Sequence, residues 1–213
     1  MKRMFKKVTV VLGIVCMGGM VSSCDEENGL GNIISAVLNN LFNPGETYSF
    51  TGTATTSSFS GALAQQGDDV VFMIDKYLNA TDGNDEGTIQ YSNVGLDLTC
   101  SQSTAQLTIP AIDENDGNVQ TTEITIYNLV MDTKEGATYT TLDLGDSSSF
   151  SENANMTYNG VTYEASTMLI EKAQASQKKL ELDITIYFRA KNETSYTKGI
   201  HFTYSGEATT AAQ

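Results

Sequence analysis

The chain has 213 residues, with 12 Lys+Arg against 26 Asp+Glu, one His, two Pro, three Cys and no Trp. One domain is expected at this length, and 40% hydrophobic content is enough to build a core, which excludes global disorder. A formal net charge of −14 excludes a nucleic-acid binder, which needs a basic footprint.

The first residues read as an address. Lys2, Arg3, Lys6 and Lys7 precede an apolar run over residues 8–21, and Ser22, Ser23 and Cys24 follow. A basic segment, a short apolar segment and small residues at a cleavage site make a secretory signal over 1–23. The run is shorter than the roughly 20 residues of a membrane-spanning helix. Val21-Ser22-Ser23-Cys24 resembles the lipobox of bacterial lipoproteins, with Val where Leu is commoner. The resemblance implies that Cys24 becomes the N-terminus and carries the acyl chains, several of which are needed for stable anchoring to a membrane. Asp25, Glu26 and Glu27 follow directly, and resemble the acidic export signal that places Bacteroidetes lipoproteins on the outer face of the outer membrane. Removing residues 1–23 takes four of the 12 basic residues and none of the acidic ones, so the mature chain has a formal net charge of −18.

Residues 24–32 form an acidic tether. Over 33–43, apolar residues at 33, 34, 37, 38, 41 and 42 have the spacing of a short amphipathic helix, stopped by Asn43-Pro44-Gly45. No Lys or Arg lies on its polar face, which favours packing on the domain over lying on a membrane.

From Thr47 the period changes to two, and one β-domain is expected over 44–213. Tyr48, Phe50, Gly52 and Ala54 alternate with Ser and Thr. Residues 70–74 are a continuous apolar run, as in a strand covered on both faces. Ala105, Leu107 and Ile109 alternate up to Pro110, and Ile124 and Ile126 lead into Leu129, Val130 and Met131. A weaker strand spans 139–144, on one parity or the other. Asn159-Gly160, between Met156/Tyr158 and Val161/Tyr163, is the strongest hairpin signal. Leu180, Leu182, Ile184, Ile186 and Phe188 mark the clearest strand, with Tyr187 on its wet face. Ile200, Phe202 and Tyr204 close the series, with His201 and Thr203 opposite. Roughly ten short strands make an all-β antiparallel meander, a barrel or a two-sheet sandwich. The Tyr/Gly/Thr-rich segment Tyr48-Ser49-Phe50-Thr51-Gly52-Thr53 and the strand at 179–189 resemble calycin-like barrels of small Bacteroidetes lipoproteins over about 47–207. That resemblance implies a fold and a location rather than an activity.

Chemistry is sparse. With Cys16 in the signal and Cys24 lipidated, Cys100 stands alone and reads as a small buried hydrophobe. His201 is the single candidate base, and no catalytic motif accompanies it, so the chain reads as non-enzymatic and without a cofactor. Asp82, Asn84 and Glu86 alternate as in the start of a calcium loop, but Asn93 stands where the bidentate Glu belongs. A loop at 113–118 fails earlier, because Ile112 takes its first ligand position. Either would hold Ca²⁺ only in the roughly millimolar range. Tyr91, Tyr127, Tyr187 and Tyr196 are candidate aromatic platforms for a glycan. The expected role is a surface module binding a glycan or a small hydrophobic molecule. The alternative is a structural or adhesive subunit of the pilin kind, which needs an open sheet edge.

Overall fold

The computed structural model describes residues 41–66, 69–114, 118–134 and 136–209. The signal, Cys24, Asp25, Glu26, Glu27 and residues 33–40 of the expected helix lie outside the described residues. Phe42 is buried, its ring edge-on to Tyr48 at 4.9 Å, and Gly45 N–H donates to the Cys100 carbonyl. Phe42 and Gly45 therefore tie the residues just before the first strand, 41–46, to the domain.

The described chain is almost entirely antiparallel β-structure. Strands β1 (Thr47–Gln66), β2 (Asp69–Tyr77), β3 (Ile89–Cys100) and β4 (Thr104–Ile109) come first. Two short strands, β5 (Asp113–Glu114) and β6 (Val119–Thr121), precede β7 (Ile124–Asp132), β8 (Thr140–Asp143) and β9 (Ser149–Phe150). The series ends with β10 (Asn155–Tyr158), β11 (Val161–Ala175), β12 (Lys179–Ala190) and β13 (Lys198–Ala208). Short turn residues are in place: Asn159 and Gly160 both have positive φ, 50° and 77°, as a two-residue hairpin requires.

Eight strands join in a closed hydrogen-bonded circuit, in the order β1-β3-β4-β7-β8-β11-β12-β13 and back to β1. A barrel or a sandwich with shared corner strands is compatible with it. Closure between β7 and β11 rests on short β8, which meets β11 at only two residue pairs. Strands β10, β6 and β5 continue from the start of β11 as a small sheet at one end of the circuit, where the Tyr91 hydroxyl on β3 donates to the Asp113 carbonyl on β5. The Lys198 ammonium sits 4.9 Å from the Tyr163 ring and 5.5 Å from the Tyr158 ring, linking β13 to the β10–β11 hairpin.

In β4, β12 and β13 one parity fills the interior. Phe50, Leu96, Leu98, Leu107, Leu182, Ile184, Phe188 and Phe202 are all buried in one cluster. The expected alternation in β4, β12 and β13 is therefore the real one, and residues 140 and 142 give the buried parity of β8. Burial pushes the Cys100 thiol up to about 12, so it stays protonated and acts as a small hydrophobe.

Two expectations need correcting. The apolar run at 70–74 is not covered on both faces: Val71 and Phe72 are buried, but Met73 and Ile74 are each 38% exposed. The reason is topological, because β2 pairs only with the second half of β1, from Phe59 to Gln66, outside the circuit. This β1–β2 arm folds against the outer face of β12. Tyr187, expected on the wet face, is consequently 1% exposed, with Phe72 at 5.0 Å and Phe59 at 6.3 Å between ring centroids. Thr185 beside it is buried as well.

Gly199 makes this docking possible. A Cβ there would lie 2.4 Å from Phe59 Cε2, because the Phe59 ring rests on β13 at that position. Gly199→Ala should displace the ring and destabilise the protein by about 1–3 kcal/mol, the usual cost of overpacking. Urea unfolding measures it, and limited proteolysis should cut the arm faster in the variant. Unchanged unfolding and cleavage would show that the arm is not held by this contact.

Candidate functional site

β11 gives the site its shape. On one edge it pairs with β12 from Tyr163 to Ala175. On its other edge it pairs with β10 over residues 161–164 and with β8 over residues 174–175. Between these, no described strand pairs with it. The gap faces β9, which hangs on β7 through Ile126↔Phe150 and Tyr127↔Ser149.

A cleft of about 520 Å³ occupies this gap. That lies within the roughly 300–1,000 Å³ of small-molecule sites. Ser148, Ser149, Ser151 and Glu152 line one side, and Glu164, Ser166 and Thr167 line the other. Ile126, Phe150, Ala154 and Met168 form an apolar floor continuous with the core. Two turns fix the wall at 148–154. Gly145 N–H donates to Ser148 Oγ, which in turn donates to the Asn128 carbonyl at 2.8 Å. Ser151 N–H donates to the Thr125 carbonyl at 2.8 Å, and Ala154 N–H to the Ser151 carbonyl at 3.0 Å. Ser166 is the extra residue of a bulge between Ala165 and Thr167. Bulges re-aim a side chain and bend the strand. The interior is filled by buried side chains, and this ligand-sized space lies at the edge of the circuit, along the unpaired stretch of β11.

The residues singled out in the sequence are scattered. Tyr127 is 37% exposed and stands across from Ser149, beside the cleft. Tyr196 is half-buried near the Arg189 guanidinium, 5.9 Å away, and Tyr91 is bonded to β5, so the four tyrosines do not form one platform. Asn84 closes its own loop, its Oδ1 accepting from Thr88 N–H and its Nδ2 donating to the Thr88 carbonyl, each at 2.9 Å. Asn84 thereby ties together the polar turn that carries exposed Asp82 and Glu86. His201 pairs with Asp183, Nε2 to Oδ1 at 2.7 Å. Ser57 faces His201 across the ladder, but it donates to the Glu86 carbonyl, so no Ser-His-Asp relay forms.

Sequence reasoning missed Glu114. It is fully buried on β5, where Asn79 Nδ2 donates to its Oε2 at 2.5 Å. Its Oε1 and the hydroxyls of Thr56 and Ser58 are buried without partners. Burial pushes the carboxyl above its ordinary range, against the smaller pull of the Asn79 amide.

No family model, no curated protein and no solved structure matches the chain.

The raised Glu114 carboxyl sets a sign. Its protonated form is favoured in the fold, so its stabilising share is present at acid pH and lost as pH rises through its elevated pKa. Glu114→Gln cannot titrate. The stability of the wild type relative to this variant should fall between about pH 4 and pH 7, across and above the ordinary carboxylate range. Urea midpoints at the two pH values test it, and a difference independent of pH would contradict the burial argument.

Proposed function

We propose that this protein is a surface lipoprotein of the Bacteroidetes type, anchored in the outer membrane by acylated Cys24, that binds a small hydroxyl-rich molecule without transforming it. A mono- or oligosaccharide is the ligand class. The cleft between β9 and β11 carries this reading, because serine and threonine hydroxyls and two carboxylates face each other across a ligand-sized gap with an apolar floor. Sugars present the same mix of hydroxyls and apolar faces, and exposed Tyr127 at the margin offers a stacking surface. The polar lining favours such a molecule over a hydrophobic one. The two carboxylates disfavour an anionic ligand.

The test is native mass spectrometry of the full chain, released from detergent after incubation with neutral oligosaccharides. The wild type should carry one added sugar mass, and Ser149→Trp, which fills the cleft from an exposed position, should lose it. Retention of the added mass by the filled variant would place the ligand elsewhere.

A second reading has its own observation. The unpaired stretch of β11 between its β10 and β8 pairings is an open sheet edge, which a strand of a second copy would complete in a structural or adhesive assembly. A ladder of oligomers in the same spectra, abolished by Ser149→Trp, favours that reading over the sugar.

The anchor is tested separately. Cys24→Ala should release the protein from membranes, and replacing Asp25, Glu26 and Glu27 by Ala should protect it from protease added to intact cells. Continued detergent dependence of the first variant, or unchanged shaving of the second, would overturn the respective assignment.

A further inference from the structure

A second constellation lies at the edge of the β1–β2 arm, on the outer faces of three adjacent strands. Glu171 of β11, Asp183 of β12 and His201 of β13 bring a carboxylate oxygen, a second carboxylate oxygen and an imidazole nitrogen all within 4.8 Å of one another. Glu171 reaches this face because it is the extra residue of a bulge between Ile170 and Lys172. Among the described residues this is the one such group of three.

An independent observation points to a ligand. The Tyr187 hydroxyl is buried without a hydrogen-bond partner. Tyr187 lines the same small cavity as Glu171 and His201, and the Glu171 charge is close enough to help push the phenol up, after the larger effect of burial. A buried hydroxyl without a partner is uncommon and calls for an unseen water or ion. The cavity measures about 60 Å³. That is roughly the share of two waters in the liquid, room for an ion and its bound water and too small for a sugar.

We propose that Glu171, Asp183 and His201 bind one divalent transition-metal ion of the Zn²⁺ class, whose bound water faces the Tyr187 hydroxyl. Three protein ligands with one position left to water is a recurrent zinc arrangement. The imidazole selects against Ca²⁺ and Mg²⁺, which prefer oxygen. Two carboxylates and a neutral imidazole supply two negative charges against the ion's two positive ones, and Glu86 at the edge of the cavity adds a third. The site is separate from the sugar cleft and does not depend on it.

Calorimetric titration of the full chain in detergent with Zn²⁺ tests this, run beside His201→Gln, Glu171→Gln and Tyr187→Phe. The wild type should bind one ion. His201→Gln and Glu171→Gln alter side chains on the surface, and circular dichroism confirms that they fold; each should weaken binding at least about tenfold. Tyr187→Phe should melt higher than the wild type without metal, because an unpartnered hydroxyl is removed, and should gain less from added Zn²⁺. Excess Ca²⁺ should not compete. Equal affinity in wild type and His201→Gln, full competition by Ca²⁺, or no binding at all would each overturn the assignment and leave His201 and Asp183 as an ion pair.

Discussion

The architecture depends on how β11 is paired. It pairs with β12 from Tyr163 to Ala175, interrupted by two bulges, and on its other edge only near its two ends. Backbone N–H and C=O groups need partners when buried. A long strand left open in its middle is therefore stable only where that edge meets solvent or a ligand. The 520 Å³ cleft is the space this constraint creates, and the serine-rich turns of residues 145–151 are its opposite bank.

The two bulges of β11 give the strand its second task. Its inward residues are Tyr163 and Ala165, then Met168 and Ile170, then Ala173 and Ala175, so each bulge shifts the inward parity by one. The extra residues are Ser166, which lines the cleft, and Glu171, which joins Asp183 and His201 on the outside. A regular strand with the same pairing would leave one of them on the wrong face. The bend that accompanies a bulge also draws the middle of β11 away from a straight ladder. Both candidate sites thus rest on local irregularity held in place by the regular pairing of β12 and β13.

How much of this could be read in advance follows from the same physics. β12 is regular, and its alternation Leu180, Leu182, Ile184, Ile186, Phe188 is legible in the letters because nothing interrupts it. The hairpin at Asn159-Gly160 is legible because its backbone requires those residue types. β11 is not legible beyond Tyr163, because two parity shifts within 15 residues erase the alternation. Tyr187 reads as wet because alternation tells only which face a residue takes, and the arm that covers that face is a tertiary event. The Ser and Thr of the cleft wall read as an ordinary turn, and His201 reads as solitary, since its carboxylate partners lie 18 and 30 positions upstream. Glu114 reads as one more surface acid in a chain with 26 of them.

The open middle of β11 is the claim on which the cleft stands, and residue-resolved amide hydrogen exchange of the full chain measures it most directly. Exchange reports how strongly each backbone group is protected by pairing and burial. Within residues 166–173, amides directed away from β12 should exchange far faster than those of Leu182, Ile184 and Ile186, and should slow when a sugar binds. Uniform protection across β11 in the free protein would mean that its edge is already paired, and would contradict the account.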